Sequence, residues 1–454
     1  MKRTFSIRSF RLRKRSPRAE FFSMNFRESV EYLYALGNEV LAMKLGLENI
    51  SKLLAALGNP EKKYLKVQVA GTNGKGSTCA FLESICLRAG IKTGVTTSPH
   101  LISITERVRL DGKEISEKDF ARHATRVREV SEKLVADGEL ETVPTYFEQV
   151  TAIALNAFAE AEVELAILET GLGGRFDATT AAHAEIVSVT PVDYDHQQIL
   201  GESLAEIAAE KAAIIRADTR VVLSEQKDEA MNVILEKCEL ENVKPRFANY
   251  RTEIKAVDAV NGRVVSTFAG DELYENVRLG LSGRHQLTNA RTAISLAEIL
   301  RKDFGFKIGK TEIVEGLENA RHKGRLEFYE NFLFDGAHNI SGAKALREFL
   351  DEFVCQPITL VFGAMRDKDL TEIAEILFPK ADFIIFTKPD NPRSMDASDL
   401  ENFLPPDFGN DKVLQTQTVK EALEKAREVS SENHLIVVTG SLYLVGEAQK
   451  ILNE

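Results

Sequence analysis

Glycine, lysine and hydroxyl side chains crowd into Gly71-Thr72-Asn73-Gly74-Lys75-Gly76-Ser77-Thr78. The apolar run Val67-Gln68-Val69-Ala70 precedes them, and a helical pattern that stops at Gly90 follows. Strand, glycine loop and helix together form the setting a phosphate-binding loop needs. Glycines let backbone N–H groups converge on an anion, and the helix N-terminus adds partial positive charge. Lys75 can reach the outer phosphates of a nucleotide, and Ser77 or Thr78 can offer a hydroxyl to magnesium. The spacing is unusual: only Thr72 and Asn73 separate Gly71 from Gly74, and Gly76 stands between Lys75 and Ser77. The plain alternative is a glycine-rich turn that holds nothing.

Other chemistry-bearing residues follow apolar runs in the same way. Glu169 closes Leu165–Leu168 and faces Gly171-Leu172-Gly173-Gly174. It is a cap, an ion-pair partner or a magnesium ligand, a hard cation that takes oxygen donors and bridges phosphates. His196, in Asp195-His196-Gln197, is a cap, a general base or a ligand, although imidazole is soft for magnesium. Lys211 falls on an otherwise apolar helical face, where it pairs, snorkels outward or becomes reactive through burial. Asp335 and His338 flank Gly336 in one turn, and Arg325 is either a surface group or a phosphate clamp.

The elements that must position these groups alternate. Strands are expected in the apolar run that ends at Val69 and at 92–97, 165–168, 186–190 and 220–224, with helices between them, the signature of a parallel, doubly wound sheet. Lys75, Glu169 and His196 then all lie beyond strand carboxyl ends, where such sheets bind ligands. Residues 250–280 read as β-rich, turning at Asn261-Gly262. Helices at 288–300 and 310–318 lead to a basic stretch, 319–324, and the domain boundary falls there. From Arg325 onward the pattern repeats as a second, smaller doubly wound domain without its own glycine loop. The division is 1–23 as a basic extension, 24–320 as the nucleotide domain and 321–454 as the C-terminal domain.

A chain of 454 residues with 44% hydrophobic and 28% charged residues has room for two or three globular domains. Its net charge of −11 argues against general nucleic-acid affinity, so an anionic substrate must be held by local cations. Four scattered cysteines suggest reduced thiols and a cytoplasmic setting, and no run is apolar enough to span a membrane. Residues 1–19 are basic with no acid before Glu20. They read as a mitochondrial-type leader, or as a tail ahead of a later start at Met24.

Taken together, the motifs resemble the folylpolyglutamate synthase/dihydrofolate synthase family of the Mur ligases. They are the 71–77 loop, Ser98-Pro99-His100-Leu101 with Glu106-Arg107, Tyr146-Phe147-Glu148, Glu169 through Thr179, and Asp195-His196 with Glu210-Lys211-Ala212. Gly283-Arg284-His285-Gln286 with Asn289, Gly324-Arg325-Leu326-Glu327, Asp335-Gly336-Ala337-His338-Asn339 and Thr439-Gly440-Ser441 complete the series in the family's order. The resemblance implies a P-loop domain of the doubly wound, mostly parallel α/β class beside a smaller Rossmann-like α/β domain. It implies an enzyme that uses ATP and magnesium to join L-glutamate to folate or dihydropteroate, acting as a monomer. By resemblance, Gly71, Thr72, Asn73, Gly74, Lys75, Gly76, Ser77, Asn289, Arg325, Asp335 and His338 contact the nucleotide. Ser98, Glu169, His196 and a carbamylated Lys211 hold metal, a hard oxygen donor that meets the softness objection. Lys75, Lys211 and His338 serve catalysis, and Phe147 and Asp177 face the pterin. Thr180-Ala181 and Ala213 depart from the family pattern near the metal region. Within the superfamily, a cell-wall precursor ligase is the rival reading; outside it, a regulatory P-loop ATPase.

Overall fold

The structure is a computed structural model that describes residues 23–37, 46–258, 260–406, 408–431 and 433–453. The basic extension expected over 1–23 therefore lies outside the described residues, except for Ser23.

An eight-stranded sheet organises the first part of the chain. Its strands are β1 (Leu65–Ala70), β2 (Thr93–Thr96), β3 (Arg109–Leu110), β4 (Lys113–Glu114), β5 (Leu165–Glu169), β6 (Ile186–Val189), β7 (Arg220–Leu223) and β8 (Arg246–Phe247). They run in the order β4-β3-β2-β5-β1-β6-β7-β8. From β2 through β8 every pairing is parallel; β3 and β4 add an antiparallel edge. The central strands β1 and β5 are buried almost throughout, and β5 reads as an apolar run up to Glu169, whereas β1 carries Lys66 and Gln68 between its apolar residues. The chain passes from β5 to β6 across β1, so the strand order reverses there. A crevice opens at such a reversal, beyond the strands' carboxyl ends.

The helix after β1, Lys75–Arg88, is buried on almost every side: Cys79, Phe81, Leu82, Ile85 and Cys86 enter one apolar cluster. Helices Gln286–Phe304 and Lys310–Asn319 cover it, and the same cluster takes Tyr274, Leu279 and Leu281 from a three-stranded antiparallel sheet. That sheet is β9 (Arg251–Val257), β10 (Arg263–Ala269) and β11 (Leu273–Ser282), the β-rich stretch read around Asn261-Gly262. Arg246, Tyr274 and fully buried Glu298 tie it to helix Gln286–Phe304; Tyr274 Oη donates to Glu298 Oε1 at 2.8 Å.

The last part builds a six-stranded sheet from β12 (Glu327–Tyr329), β13 (Phe332–Phe334), β14 (Ile358–Phe362), β15 (Phe383–Phe386), β16 (Val413–Gln415) and β17 (Leu435–Thr439). The order is β12-β13-β17-β14-β15-β16, parallel except for the β12–β13 hairpin. Helices Ile340–Phe353, Thr371–Leu377, Val419–Val429 and Leu442–Asn453 alternate with these strands, the repeated α/β pattern expected from Arg325 onward. Helix Asp228–Leu240 and the short strands β3, β4, β8 and β16 were not anticipated.

Gly316 lets helix Lys310–Asn319 lie on the phosphate-loop helix: a Cβ there would stand 2.4 Å from Ile85 Cα. Gly316→Ala is expected to lower stability by about 1–3 kcal/mol through overpacking. Urea unfolding would read this as a lower midpoint at unchanged slope; an unchanged midpoint would mean the helices separate freely.

Candidate active site

Beyond the carboxyl ends of β1, β5 and β6 lies a cleft of about 650 Å³. Its walls include the loop 71–77, Ser98, Phe147, Glu169, Asp177, His196, Lys211 and Asn289 from one side, and Arg325, Asp335, His338 and Ser441 from the other. Every residue expected at the site from sequence thus borders one hollow.

The loop is shaped by what presses on it. Gly74 has φ +85° at the N-cap of helix Lys75–Arg88, and no side chain caps that helix. Its first N–H groups remain directed at the hollow, the arrangement that binds anions. A Cβ on Gly74 would meet Asn289 Oδ1 at 2.2 Å. Asn289 in turn donates to Gln286 Oε1 at 2.9 Å, and Gln286 Nε2 lies 3.3 Å from Ser77 Oγ. Lys75 Nζ donates to the carbonyls of Gly71 and Thr72 at 3.0 and 3.1 Å, curling back over the loop.

Glu169 is buried and Lys75 half-buried, and desolvation pushes each toward its neutral form while the other's charge opposes this. Ser98 N donates to Glu169 Oε2 at 3.2 Å, so the loop after β2 is held against the end of β5. The Lys211 ammonium is lowered to about 7 by burial and then by the charge of Lys75, leaving much of the amine neutral near neutral pH. His196 sits in the left-handed region at φ 51°, an uncommon backbone state for a non-glycine residue, at the start of a short helical turn over Gln197–Leu200. Burial lowers it to about 4, so its imidazole is neutral.

Asp177 and Asp335 work on backbone. Asp177 Oδ2 accepts from Gly171 N and Leu172 N, both at 2.9 Å, and shapes the glycine run after Glu169. Asp335 accepts from Leu326 N and Ala337 N, both at 3.0 Å, the second closing an Asx-type turn. Arg325 Nη1 lies 3.4 Å from Gly336 O, and the His338 Nδ1 site lies 2.7 Å from the same carbonyl. With Nδ1 assigned as the donor there, His338 Nε2 faces Asp195 Oδ2 at 3.8 Å. Burial lowers His338 to about 4 despite that carboxylate.

Sequence reasoning gave no role to the groups that bridge the cleft. Lys368 pairs with Asp195, Asn339 Nδ2 reaches Asp195 Oδ2 at 3.2 Å and Asn73 Oδ1 at 3.1 Å, and Ser341 Oγ bonds Asp193. Lys227 Nζ holds the other oxygen of Asp193 at 2.7 Å. Burial would raise the Asp195 carboxyl, but His338, Lys368 and His196 outweigh it and hold it well below the usual carboxylate range. The available signal was positional: Lys368 lies in the polar turn after β14.

Among the described residues, no three His, Cys, Asp or Glu side chains converge as a metal cage. The donors at hand are Glu169, the Ser98 hydroxyl and neutral His196. That set suits magnesium, which uses one or two carboxylates and completes its shell with phosphate and water oxygens. All four cysteines are free, with only Cys355 exposed, and no described helix is long and apolar enough to cross a membrane.

Residues 69–297 match the Mur ligase middle domain, and residues 324–442 match the Mur ligase glutamate ligase domain. The dihydrofolate synthase/folylpolyglutamate synthase of Bacillus subtilis is 34% identical over 425 residues, covering 92% of this chain and 97% of its own. The chain belongs to the folylpolyglutamate synthase/dihydrofolate synthase family of Mur ligases. A probable bifunctional folylpolyglutamate synthase/dihydropteroate synthase of Haloferax volcanii is 35% identical over 94% of this chain, which spans 50% of that longer protein. Among solved structures, the Mycobacterium tuberculosis folylpolyglutamate synthase complexed with ADP aligns at TM-score 0.87 and 29% identity, over 94% of this chain and 98% of that one. The E. coli FolC in complex with DHPP and ADP aligns at TM-score 0.83 and 28% identity, over 95% and 98% of the two chains. The α/β architecture expected from sequence is thus that of the family.

Gly74→Ala is expected to weaken ADP binding about tenfold or more, because the added Cβ strains the loop by about 1–3 kcal/mol and displaces Asn289. A calorimetric titration checks this; wild-type affinity would show that the loop tolerates the change.

Proposed function

We infer that this chain uses ATP to join L-glutamate to a carboxylic acid of the folate class, extending a tetrahydrofolate or completing dihydropteroate, as a cytoplasmic monomer. One observation carries the reading: a phosphate-type loop, a buried carboxylate and a neutral histidine border the same hollow as the cations of the opposite wall. Family membership supports the choice of acid and amino acid. The functional division is 24–320 for the nucleotide and 321–454 for the closing domain, hinged at 319–325.

A carboxylate does not exchange its oxide for an amine. Attack of a carboxylate oxygen on the γ-phosphorus forms an acyl phosphate and releases ADP. The glutamate amine then attacks the acyl carbon, phosphate leaves with its bonding electrons, and the nitrogen loses a proton. The first step brings anionic oxygens together, so Lys75, Arg325 and the helix N-terminus at Gly74–Gly76 offset their repulsion. Gly71, Thr72, Asn73, Ser77, Asn289 and Asp335 fix the nucleotide, while Phe147 and the turn built on Asp177 face the pterin. The amine's proton passes to neutral His338 or to a nearby carboxylate. Magnesium, when bound, neutralises phosphate oxygens; Ser98, Glu169, His196 and a carbamylated Lys211 are the groups that would hold it. Closure of the C-terminal domain keeps water from the acyl phosphate.

Lys75→Ala is expected to abolish ATP-dependent incorporation of labelled glutamate while leaving the unfolding transition intact. Ordinary turnover would refute the loop's role. Phosphate release in the wild type should require a folate and glutamate together, whereas a regulatory ATPase would need neither. The carbamate reading gives a further test. The Lys211 amine is neutral above about 7 and protonated below it, so carbon dioxide uptake fails on the acid side. Lys211→Ala should lose activity and regain part of it with added short carboxylates; full activity without rescue would remove the carbamate.

A further inference from the structure

His322 belongs to the connector between helix Lys310–Asn319 and strand β12, within the basic stretch read as a hinge. Its ring does not stay in the connector: it lies on the phosphate loop. A Cβ built on Gly76 would stand 2.4 Å from His322 Nε2 and 3.2 Å from Glu169 Oε1. No more than the sum of those distances separates the two atoms, and only glycine at 76 leaves the space between them open. The other oxygen of Glu169 is taken by Ser98 N, so Oε1 is the one turned toward the gap.

The tautomer is set from the far side of the ring. Nδ1 lies 3.0 Å from the carbonyl oxygen of Lys323, which only a donor N–H can satisfy. Nε2 is therefore a lone pair, and no described residue donates to it. Burial, with Arg325 and Arg109 nearby, keeps the ring uncharged, at about 3. A neutral imidazole whose second nitrogen donates to a carbonyl is the arrangement seen in histidines that bind metal. A lone pair, a carboxylate oxygen and an open gap beside the phosphate loop thus share one small volume.

We propose that His322 is an additional donor, through Nε2, to the divalent cation held by Glu169, and that it biases this site toward metals softer than magnesium. The proposal rests on the reading of Glu169 as a cation ligand. Its consequence is distinct from that reading. Oxygen donors favour magnesium, whereas a second imidazole nitrogen beside that of His196 raises the relative affinity for manganese. The donor comes from the connector rather than from the sheet that carries Glu169, so cation binding would also draw the connector onto the loop.

The test titrates the full-length protein, saturated with ADP, with Mn²⁺ and separately with Mg²⁺. In His322→Gln the preference for Mn²⁺ over Mg²⁺ is expected to fall about tenfold, with the thermal transition unchanged. An unchanged preference overturns the role of His322. Glu169→Gln separates the two readings: it should weaken both cations, and retention of both affinities would defeat the underlying cation assignment instead. A second measurement does not depend on substituting His322. Pulsed electron paramagnetic resonance of Mn²⁺ bound to His196→Gln, which lacks the other expected imidazole ligand, should still show modulation from an imidazole nitrogen. Its absence overturns the proposal.

Discussion

The phosphate loop is clamped on three sides by backbone and side chains from distant parts of the chain. Gly71 lies against Thr190 at the end of β6, Gly74 against Asn289 of helix Gln286–Phe304, and Gly76 against His322 of the connector. At each point a Cβ would come within 2.4 Å of a neighbouring atom. The loop is thus the place where the central strand, the covering helix and the hinge meet, and its shape depends on all of them. Helix Lys75–Arg88 is buried against the sheet and its covering helices, and its uncapped N-terminus borders the cleft. A fixed helix terminus of this kind binds an anion without the cost of ordering a loop first.

Electrostatics follows from that placement. A chain carrying −11 overall repels phosphate and carboxylate groups at long range. Within the cleft, Lys75, Lys227, Arg325 and Lys368 stand among the acidic side chains and supply local cations. Several acidic residues there are already committed, Asp195 to Lys368 and Asp193 to Lys227 and Ser341, so they hold the two walls together rather than oppose a ligand. The bonds from Lys368, Asn339 and Ser341 to the residues after β6 join the two sheets' carboxyl edges.

Legibility in the sequence followed range. The strand–loop–helix at 65–88, the alternation behind the main sheet and the β-rich stretch at 250–280 are local patterns, and the structure has them. The family resemblance added what spacing could not: a reason to group Ser98, Lys211 and Asn289 with the loop. Contacts made only by tertiary folding stayed hidden. Nothing near Lys368 or Asn339 in the sequence points to Asp195, more than a hundred positions away, and nothing near His322 points to Gly76. Helix Asp228–Leu240 has apolar Ala230, Ile234 and Cys238 at helical spacing, but its N-cap, Lys227, makes no side-chain cap, so the capping signal is missing and only the acidic pair Asp228-Glu229 marks its start. The two-residue strands β3, β4 and β8 are too short to leave a period at all.

The central claim is that a carboxylate and a nucleotide's terminal phosphate meet in this cleft and exchange an oxygen. The most direct measurement supplies the folate substrate with ¹⁸O in the reacting carboxyl group, together with ATP and glutamate, and weighs the released phosphate. Activation through an acyl phosphate predicts one labelled oxygen in each phosphate formed. Phosphate free of label, in a reaction that still yields the glutamylated product, would contradict the account.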